Sequence, residues 1–511
     1  MLRKLLAFVS KRVFIVALLI FIQLCIIVVA ALFLSEYRIY YKIVLIAISI
    51  LCVLIILNSK SNDAYKMAWA IPIIVWPVFG GLFYLIFGGH ALAKRKQMKM
   101  NIITERAAAA AKDSQAVQKR IAAADEHASK QAVYIDRYAF SPPFSGTETV
   151  YLPSGEAKLQ TLLPELEKAR HFIFLEYFII NEGEMWRQII DVLIRKVKEG
   201  VDVRLIYDDF GSINYLPIRY PEYLKQVGIK CYRFNTFRPV LNPRLNNRDH
   251  RKICVIDGHV GFIGGINFSD EYINKKQRCG YWKDTALMLK GAAVYNLTAM
   301  FLGMWEYVSG EHDAPEKFRP ELYADRAYRD DGYVQPYSDN PTDDEPVGAN
   351  VYLNMISAAK KYLYITTPYL IIDSEMTTAL CNCAKSGVDV RIITPHIPDK
   401  KMIFELTRSS YKVLMESGVK IYEFTPGFVH AKMFVSDDVY ATVGSVNLDY
   451  RSLYLHFECG AWLYGCSAIA DIKRDFLETM RQSEEIREDT FRISAPRRLF
   501  RSLLRAFAPL L

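Results

Sequence analysis

The chain has nine cysteines but no pair of them at a metal-ligand spacing; Cys381 and Cys383 make only a C-x-C. This excludes a zinc-ribbon reading, and free thiols such as Cys25 and Cys52 inside apolar runs point to a reducing compartment. The middle of the chain also lacks a basic excess. Residues 101–490 hold 47 Lys and Arg against 53 Asp and Glu, which is no nucleic-acid footprint. Acids are nearly missing from residues 1–100, where 2 stand against 12 basic residues, so much of the formal charge of +9 originates at the front. No small-residue cleavage site separates the first apolar run from a polar chain, which argues against a cleaved signal peptide.

What is present begins with three apolar runs, 13–34, 39–57 and 67–87, and residues 1–100 read as a membrane anchor. The third run is interrupted by Pro72, Pro77, Gly80 and Gly81 and suits a kinked or interfacial segment as well as a span. Arg3, Lys4, Lys11 and Arg12 precede the first run, and Lys94, Arg95, Lys96 and Lys99 follow the third. Basic flanks favour the cytoplasmic face, so the expectation is a multi-pass anchor in the cell membrane with an even number of crossings and a cytoplasmic main body. Residues 101–146 are Ala-rich and read as a helical connector. At the other end, 491–511 form a basic amphipathic tail, with Arg497, Arg501 and Arg505 four apart and Leu499, Phe500 and Leu503 beside them. Such a helix fits an anionic membrane surface, or else docks on the protein core.

Between these ends the chain repeats itself. KARHFIFLEYFII at 168–180 is echoed by KKYLYITTPYLII at 360–372, GVDVRLI at 200–206 by GVDVRII at 387–393, and GIKCYRFN at 228–235 by GVKIYEFT at 418–425. Three matches in one order predict a duplicated α/β fold, with parallel strands and covering helices in two similar lobes, 147–310 and 350–490, joined by a charged connection at 311–349. A fourth echo carries the chemistry. His250, Lys252, Asp257, Gly265 and Asn267 recur as His430, Lys432, Asp437, Ser445 and Asn447 in the spacing H-x-K-x4-D-x6-G-[GS]-x-N, 180 residues apart.

Strand alternation turns each His and Lys to one face, and the Asp-Gly at 257–258 predicts a tight hairpin whose return strand brings Asn267 back toward His250. Two imidazoles, two ammonium groups and two carboxamides across one cleft suit displacement at a phosphodiester. One histidine attacks, the other moves the proton, and Lys and Asn donors hold the phosphoryl oxygens. No metal or other cofactor is needed. Asp284, 34 residues after His250, and Glu458, 28 after His430, are candidate carboxylates for orienting the imidazoles. Asp257 and Asp437 read mainly as turn-stabilising residues, and the remaining histidines, His456 among them, as structural.

These paired motifs, with EYFII, IYDDFGS, GGINFSDEY, TPYL and VGSVNLDYRSL, resemble the phospholipase D superfamily and, over nearly the whole chain, its bacterial cardiolipin synthases. The resemblance implies two phospholipase D-like lobes with the active site between them. It also implies transfer of a phosphatidyl group between two phosphatidylglycerols, with His250 as nucleophile and His430 as acid and base, or the reverse. Hydrolysis by a membrane-bound phospholipase D, or transfer with another donor or acceptor, stays open. His456 stands where that family more usually has Asn.

Overall fold

In the computed structural model the described residues are 18, 21–26, 28–29, 38–59, 62–76, 80–81, 84, 102–103, 106, 114–236, 247–487 and 494–510. The chain divides into two units, 1–92 with 237–247 and 499–511, and 93–236 with 248–498.

In the first unit, helices Arg38–Leu57 and Asp63–Val75 pack through Ile56, Tyr65, Trp69 and Ile73. Asn62 starts the second helix by accepting from the Ala64 N–H at 3.0 Å, and the helix carries Pro72 and ends at Trp76. The expected run 13–34 lies largely outside the described residues. Membrane-crossing helices were expected, yet among the described residues no helix is long and apolar enough to cross a membrane. The helix Arg38–Leu57 opens on Arg38, Tyr40, Tyr41 and Lys42. Its uninterrupted apolar stretch of about 15 residues rises only ~22 Å against a hydrocarbon core of ~30 Å. Pro72 and the stop at Trp76 shorten the next segment in the same way. Ile43, Val44, Ile46, Leu51, Leu54 and Ile55 are nevertheless exposed.

The second unit holds two large sheets. The first contains β1 (Thr147–Leu152), β2 (Phe172–Tyr177), β3 (Asp202–Asp208), β4 (Lys230–Phe234), β5 (Lys252–Ile256), β6 (Val260–Gly264) and β8 (Ala286–Gly291), in the order β1-β8-β6-β5-β2-β3-β4. A short β7 (Tyr281–Lys283) lies outside it. The second contains β9 (Tyr333–Asp339), β10 (Tyr362–Thr366), β12 (Asp389–Pro395), β13 (Lys420–Phe424), β15 (Met433–Ser436), β16 (Tyr440–Gly444), β18 (Glu458–Tyr464) and β19 (Ser483–Ile486), in the order β19-β13-β12-β10-β15-β16-β18-β9. The short strands β11 (Leu370–Ile371) and β17 (Leu448–Asp449) pair with each other, and β14 (Gly427–Val429) pairs with β7.

Strand for strand, the first sheet maps onto the second, with β19 added at one edge. The sheets are mixed, not wholly parallel: β2, β3 and β4 run parallel, while β5, β6, β8 and β1 alternate in direction. Hairpins build the half of each sheet that carries the motifs, whereas helical crossovers such as Glu184–Lys198 and Ser374–Lys385 build the other half.

The helix Val294–Ser309 is apolar on nearly every side and is buried among both sheets' side chains, including Phe174, Ile253, Leu289, Val435 and Leu463. It stops at Gly310, which takes the left-handed conformation at φ 80°. Helices Ser114–Ala124 and Glu126–Tyr138 of the connector place Val117, Ile121, Ala132 and Ile135 in the core of the second sheet. Strand β9 falls inside the stretch 311–349 that the sequence reads as connection. Its Pro336 removes a ladder donor, which an edge strand tolerates.

Candidate active site

Strand register fixes where the motif residues lie. Lys252 opens β5 opposite Tyr177, the last residue of β2, and Tyr177 sits beside Tyr207 near the end of β3. Met433 opens β15 opposite Thr366, and Thr366 sits beside Ile393. Both motif histidines therefore stand at the carboxyl ends of the parallel strands, where crevices of α/β sheets form.

Backbone bonds join the lobes there. His250 N–H donates to Phe457 C=O at 2.9 Å and Phe457 N–H to Arg248 C=O at 2.8 Å; His430 N–H donates to Lys283 C=O at 2.6 Å, continuing the parallel β7–β14 pair. In both cases the accepting carbonyl belongs to the residue just before a buried carboxylate. His250 Nδ1 lies 2.9 Å from both Oε1 and Oε2 of Glu458, and His430 Nδ1 lies 2.6 Å from Asp284 Oδ2. Each carboxylate thus serves the histidine of the opposite lobe, not the one it follows in the chain.

Support around the two carboxylates differs. Glu458 also accepts from the hydroxyls of Ser445 and of Ser452, the latter at 2.7 Å. Asp284 accepts from its neighbour's Thr285 N–H at 2.7 Å, and Gly265 leaves it room: a Cβ at Gly265 would lie 2.2 Å from Asp284 Oδ1. Gly265 and Ser445, equivalent in the motif, both act on the carboxylates.

Electrostatics follow from burial. Burial pushes His250 down to about 3 despite Glu458, with Lys252 adding to the shift, and pushes His430 down to about 4, with Lys432 working against Asp284. Both imidazoles are therefore neutral near pH 7. Burial alone would raise Glu458 and Asp284, yet His250 holds Glu458 well below the carboxylate range, and Lys432 and His430 lower Asp284. Lys252 and Lys432, fully buried, are pushed down to about 7 and about 8 by desolvation. Each ammonium donates to the carbonyl of its own motif histidine. Lys432 Nζ also lies 2.7 Å from His430 Nδ1 and 4.0 Å from Asp284 Oδ2.

The asparagines are not alike. Asn267 accepts from Ile179 N–H at 3.0 Å and donates to the Tyr272 hydroxyl at 2.7 Å, so its carboxamide holds the end of the EYFII segment. Asn447 Oδ1 is buried without a hydrogen-bond partner among the described residues. Asp257, at φ 46°, accepts from the N–H groups of Arg170, His171 and Phe172 at 2.7–2.8 Å, and Asp437, at φ 56°, from those of Lys360, Lys361 and Tyr362 at 2.7–2.9 Å. Both lie at the hairpin turns, at the far end of the strands from the histidines.

His456, which the sequence reads as structural, stands beside the first motif histidine. Its ring centroid is 5.7 Å from that of His250, its Nδ1 is 3.8 Å from Glu458 Oε1, and both ring nitrogens are buried without a partner among the described residues. The available signal was its place two residues before Glu458. His250, His456 and Glu458 could converge on a cation, their donor atoms lying within 4.8 Å of one another. Glu458 is already engaged by three donors, however, and an ion would have to break the hydrogen bond between His250 Nδ1 and Glu458. Phe178 flanks His250 at 4.9 Å, while Trp282 and Phe428 flank His430 at 5.4 and 5.9 Å.

A family described as cardiolipin synthase, PLD-like domain, matches residues 162–305 and 352–480, and one described as phospholipase D-nuclease N-terminal matches 47–89. The chain is 36% identical over 463 residues to cardiolipin synthase 2 of Bacillus anthracis, covering 90% of this chain and 89% of that one. It is also 36% identical over 478 residues to a cardiolipin synthase of Geobacillus kaustophilus, covering 92% and 93%. An uncharacterized protein of Streptococcus mutans is 44% identical over 442 residues, covering 86% and 94%. The crystal structure of phosphatidylserine synthase from Haemophilus influenzae superposes with a TM-score of 0.54 at 14% identity, covering 75% of this chain and 100% of that one, which shows a shared fold. A duplicated sheet with paired His-Lys motifs at its centre, together with relatives that span nearly its full length, establishes that the chain belongs to the PLD-like cardiolipin synthases, a family of phosphatidyltransferases.

Proposed function

We propose that the chain transfers a phosphatidyl group from one phosphatidylglycerol to a second through a phosphatidyl-histidine, giving cardiolipin and glycerol. The observation that carries this reading is the exchange of carboxylates between lobes. Glu458 holds the Nδ1 proton of His250 and leaves Nε2 as the nucleophile. His250 Nε2 attacks phosphorus, the P–O bond to glycerol breaks, and the leaving oxygen takes a proton from His430. The headgroup hydroxyl of a second phosphatidylglycerol then gives its proton to His430 as its oxygen attacks phosphorus and the P–N bond breaks. The anionic phosphodiester raises His430 toward protonation when it enters, since it supplies negative charge beside a buried imidazole. Lys252 and Lys432 counter the charge on the phosphoryl oxygens.

Asymmetry between the histidines supports the assignment of roles. His250 faces both oxygens of one carboxylate, a fixed tautomer suited to a nucleophile. His430 Nδ1 lies between Asp284 and Lys432, where its proton is contested, which suits an acid and base. The exposed apolar side chains of Arg38–Leu57 and the apolar runs before and after it support association with the cell membrane through residues 1–100, and the basic flanks of these runs favour the cytoplasmic side for the lobes. Incubating the full chain with phosphatidylglycerol vesicles tests the reading: cardiolipin and glycerol are expected, whereas phosphatidic acid alone would make it a hydrolase.

A further inference from the structure

We infer that two duplicated loops at the mouth of the active site dock on an anionic phospholipid bilayer, so that substrate enters from the membrane surface along the cleft's rim. This inference rests on the lipid-transferase reading above. Its first support is position. Strands β3 and β12 are equivalent in the two lobes, both end beside the strand that leads into the catalytic pocket, and the chain that follows each is therefore carried to the end where His250 and His430 stand.

Contacts tie both loops to the histidines. After β3, the Ser212 hydroxyl accepts from Ile180 N–H at 3.1 Å and donates to Phe178 C=O at 3.4 Å, and the Phe178 ring packs on His250. After β12, Ile397 N–H donates to Gly427 C=O at 3.4 Å, and Asp399 accepts from the Tyr369 hydroxyl at 2.8 Å. Tyr369 packs on Phe428, which packs on His430.

The second support is what these loops display. Between residues 114 and 487, ten large apolar side chains are exposed among the described residues, and six belong to these two segments: Phe210, Ile213, Ile218, Tyr223, Ile397 and Met402. Random scatter over a surface this size would not put most of them on two short stretches. Ile218 is 69% exposed, and Met402, in the first turn of the helix Lys401–Ser409 that ends the second segment, is 52% exposed, more than either needs for local packing. Exposed Arg219, Lys400 and Lys401 stand among them, against exposed Glu222 and half-buried Asp399, and exposed Arg278 adjoins through Cys279, whose thiol meets Pro398 C=O, which leaves the two segments a basic excess. Apolar side chains interleaved with basic ones match a headgroup layer of negative charge over hydrocarbon, and match neither a neutral protein groove nor bulk water.

The test uses the full chain reconstituted in phosphatidylglycerol vesicles, with Ile218→Trp and Met402→Trp variants compared with wild type for quenching by brominated lipid. Added quenching in each variant is expected. In parallel, turnover of vesicle phosphatidylglycerol is divided by turnover of a monomeric short-chain phosphatidylglycerol. The double variant Ile218→Glu, Met402→Glu is expected to lower this ratio at least tenfold, while Leu322→Glu, on an exposed position outside the two loops, keeps it. An unchanged ratio with no added quenching overturns the inference. So does loss of a concentration-dependent dimer in the double variant without quenching, since the loops would then join two copies. Absence of turnover on both substrates by the wild type would instead overturn the transferase reading on which the inference rests.

Discussion

Replacing Glu458 by Gln changes one charge and almost no volume, at a site where Glu458 meets His250 Nδ1 with both oxygens at 2.9 Å and two serine hydroxyls besides. A hydrogen bond to an ionised group contributes ~1.5–3 kcal/mol and one between neutral groups ~0.5–1.5, so the resting enzyme loses about 1–2 kcal/mol. The transition state loses more. As the P–N bond forms, the imidazole becomes cationic, and a buried cation stripped of its counter-ion is destabilised by ~3–5 kcal/mol. The difference of roughly 2–3 kcal/mol corresponds to a fall in kcat of about 30- to 150-fold. Because Gln still offers an acceptor oxygen to a serine hydroxyl, the fold is expected to survive, with Tm lowered by only a few degrees. The assay is cardiolipin formation at saturating phosphatidylglycerol, accompanied by single-turnover trapping of labelled phosphohistidine. A folded Glu458→Gln protein with kcat within tenfold of wild type would refute the role given to the crossed carboxylate.

In the free enzyme, kcat/KM is expected to fall as pH rises through about 7 to 8, because Lys252 and Lys432 lose their protons there, and a flat profile to pH 9.5 would contradict this. Stability runs the other way: between those values and the ordinary lysine value of 10.5 the unfolded chain holds more protons, so both lysines make the fold gain stability as pH rises. Asp257→Asn is expected to lower stability by about 4 kcal/mol, because its amide nitrogen cannot accept from Arg170 N–H, so that one backbone bond is lost and two are weakened, with activity per folded molecule retained; a fully stable, inactive variant would show direct chemistry instead. Gly265→Ala pushes Asp284 away from His430 and is expected to cut kcat at least 100-fold, whereas Ser445→Ala removes one hydroxyl from Glu458 and is expected to cost tenfold or less.

The duplication was legible because the two copies keep the same residues at the same intervals, and the structure repeats the same strand order around them. Strand direction was less legible. Short apolar runs such as FIFLEY and KICVI read alike, and only the turn at Asp257 and Gly258 distinguishes a hairpin from a crossover. Asp284 and Glu458 were identifiable as buried acids after each motif, but their partners were not, since each reaches its histidine across 146 or 208 residues through lobe packing that no local pattern encodes. Asn267 illustrates the same limit. Its spacing suggests a phosphate donor, and its contacts are with Ile179 and Tyr272. Strand β9 escaped because Pro336 and the surrounding charges look like a linker until an edge is there to receive them.

The exchange of carboxylates also bears on synthesis. The first lobe leaves the ribosome with His250, Lys252 and Asp284 already in place, long before Glu458 is made. Until the second lobe docks, His250 has no counter-ion for the cationic intermediate of the proposed mechanism, and Asp284 has no histidine to hold. On the proposed mechanism a half-made chain is therefore expected to be inert toward phosphodiesters, and transfer of lipid waits for the lobe that carries Glu458.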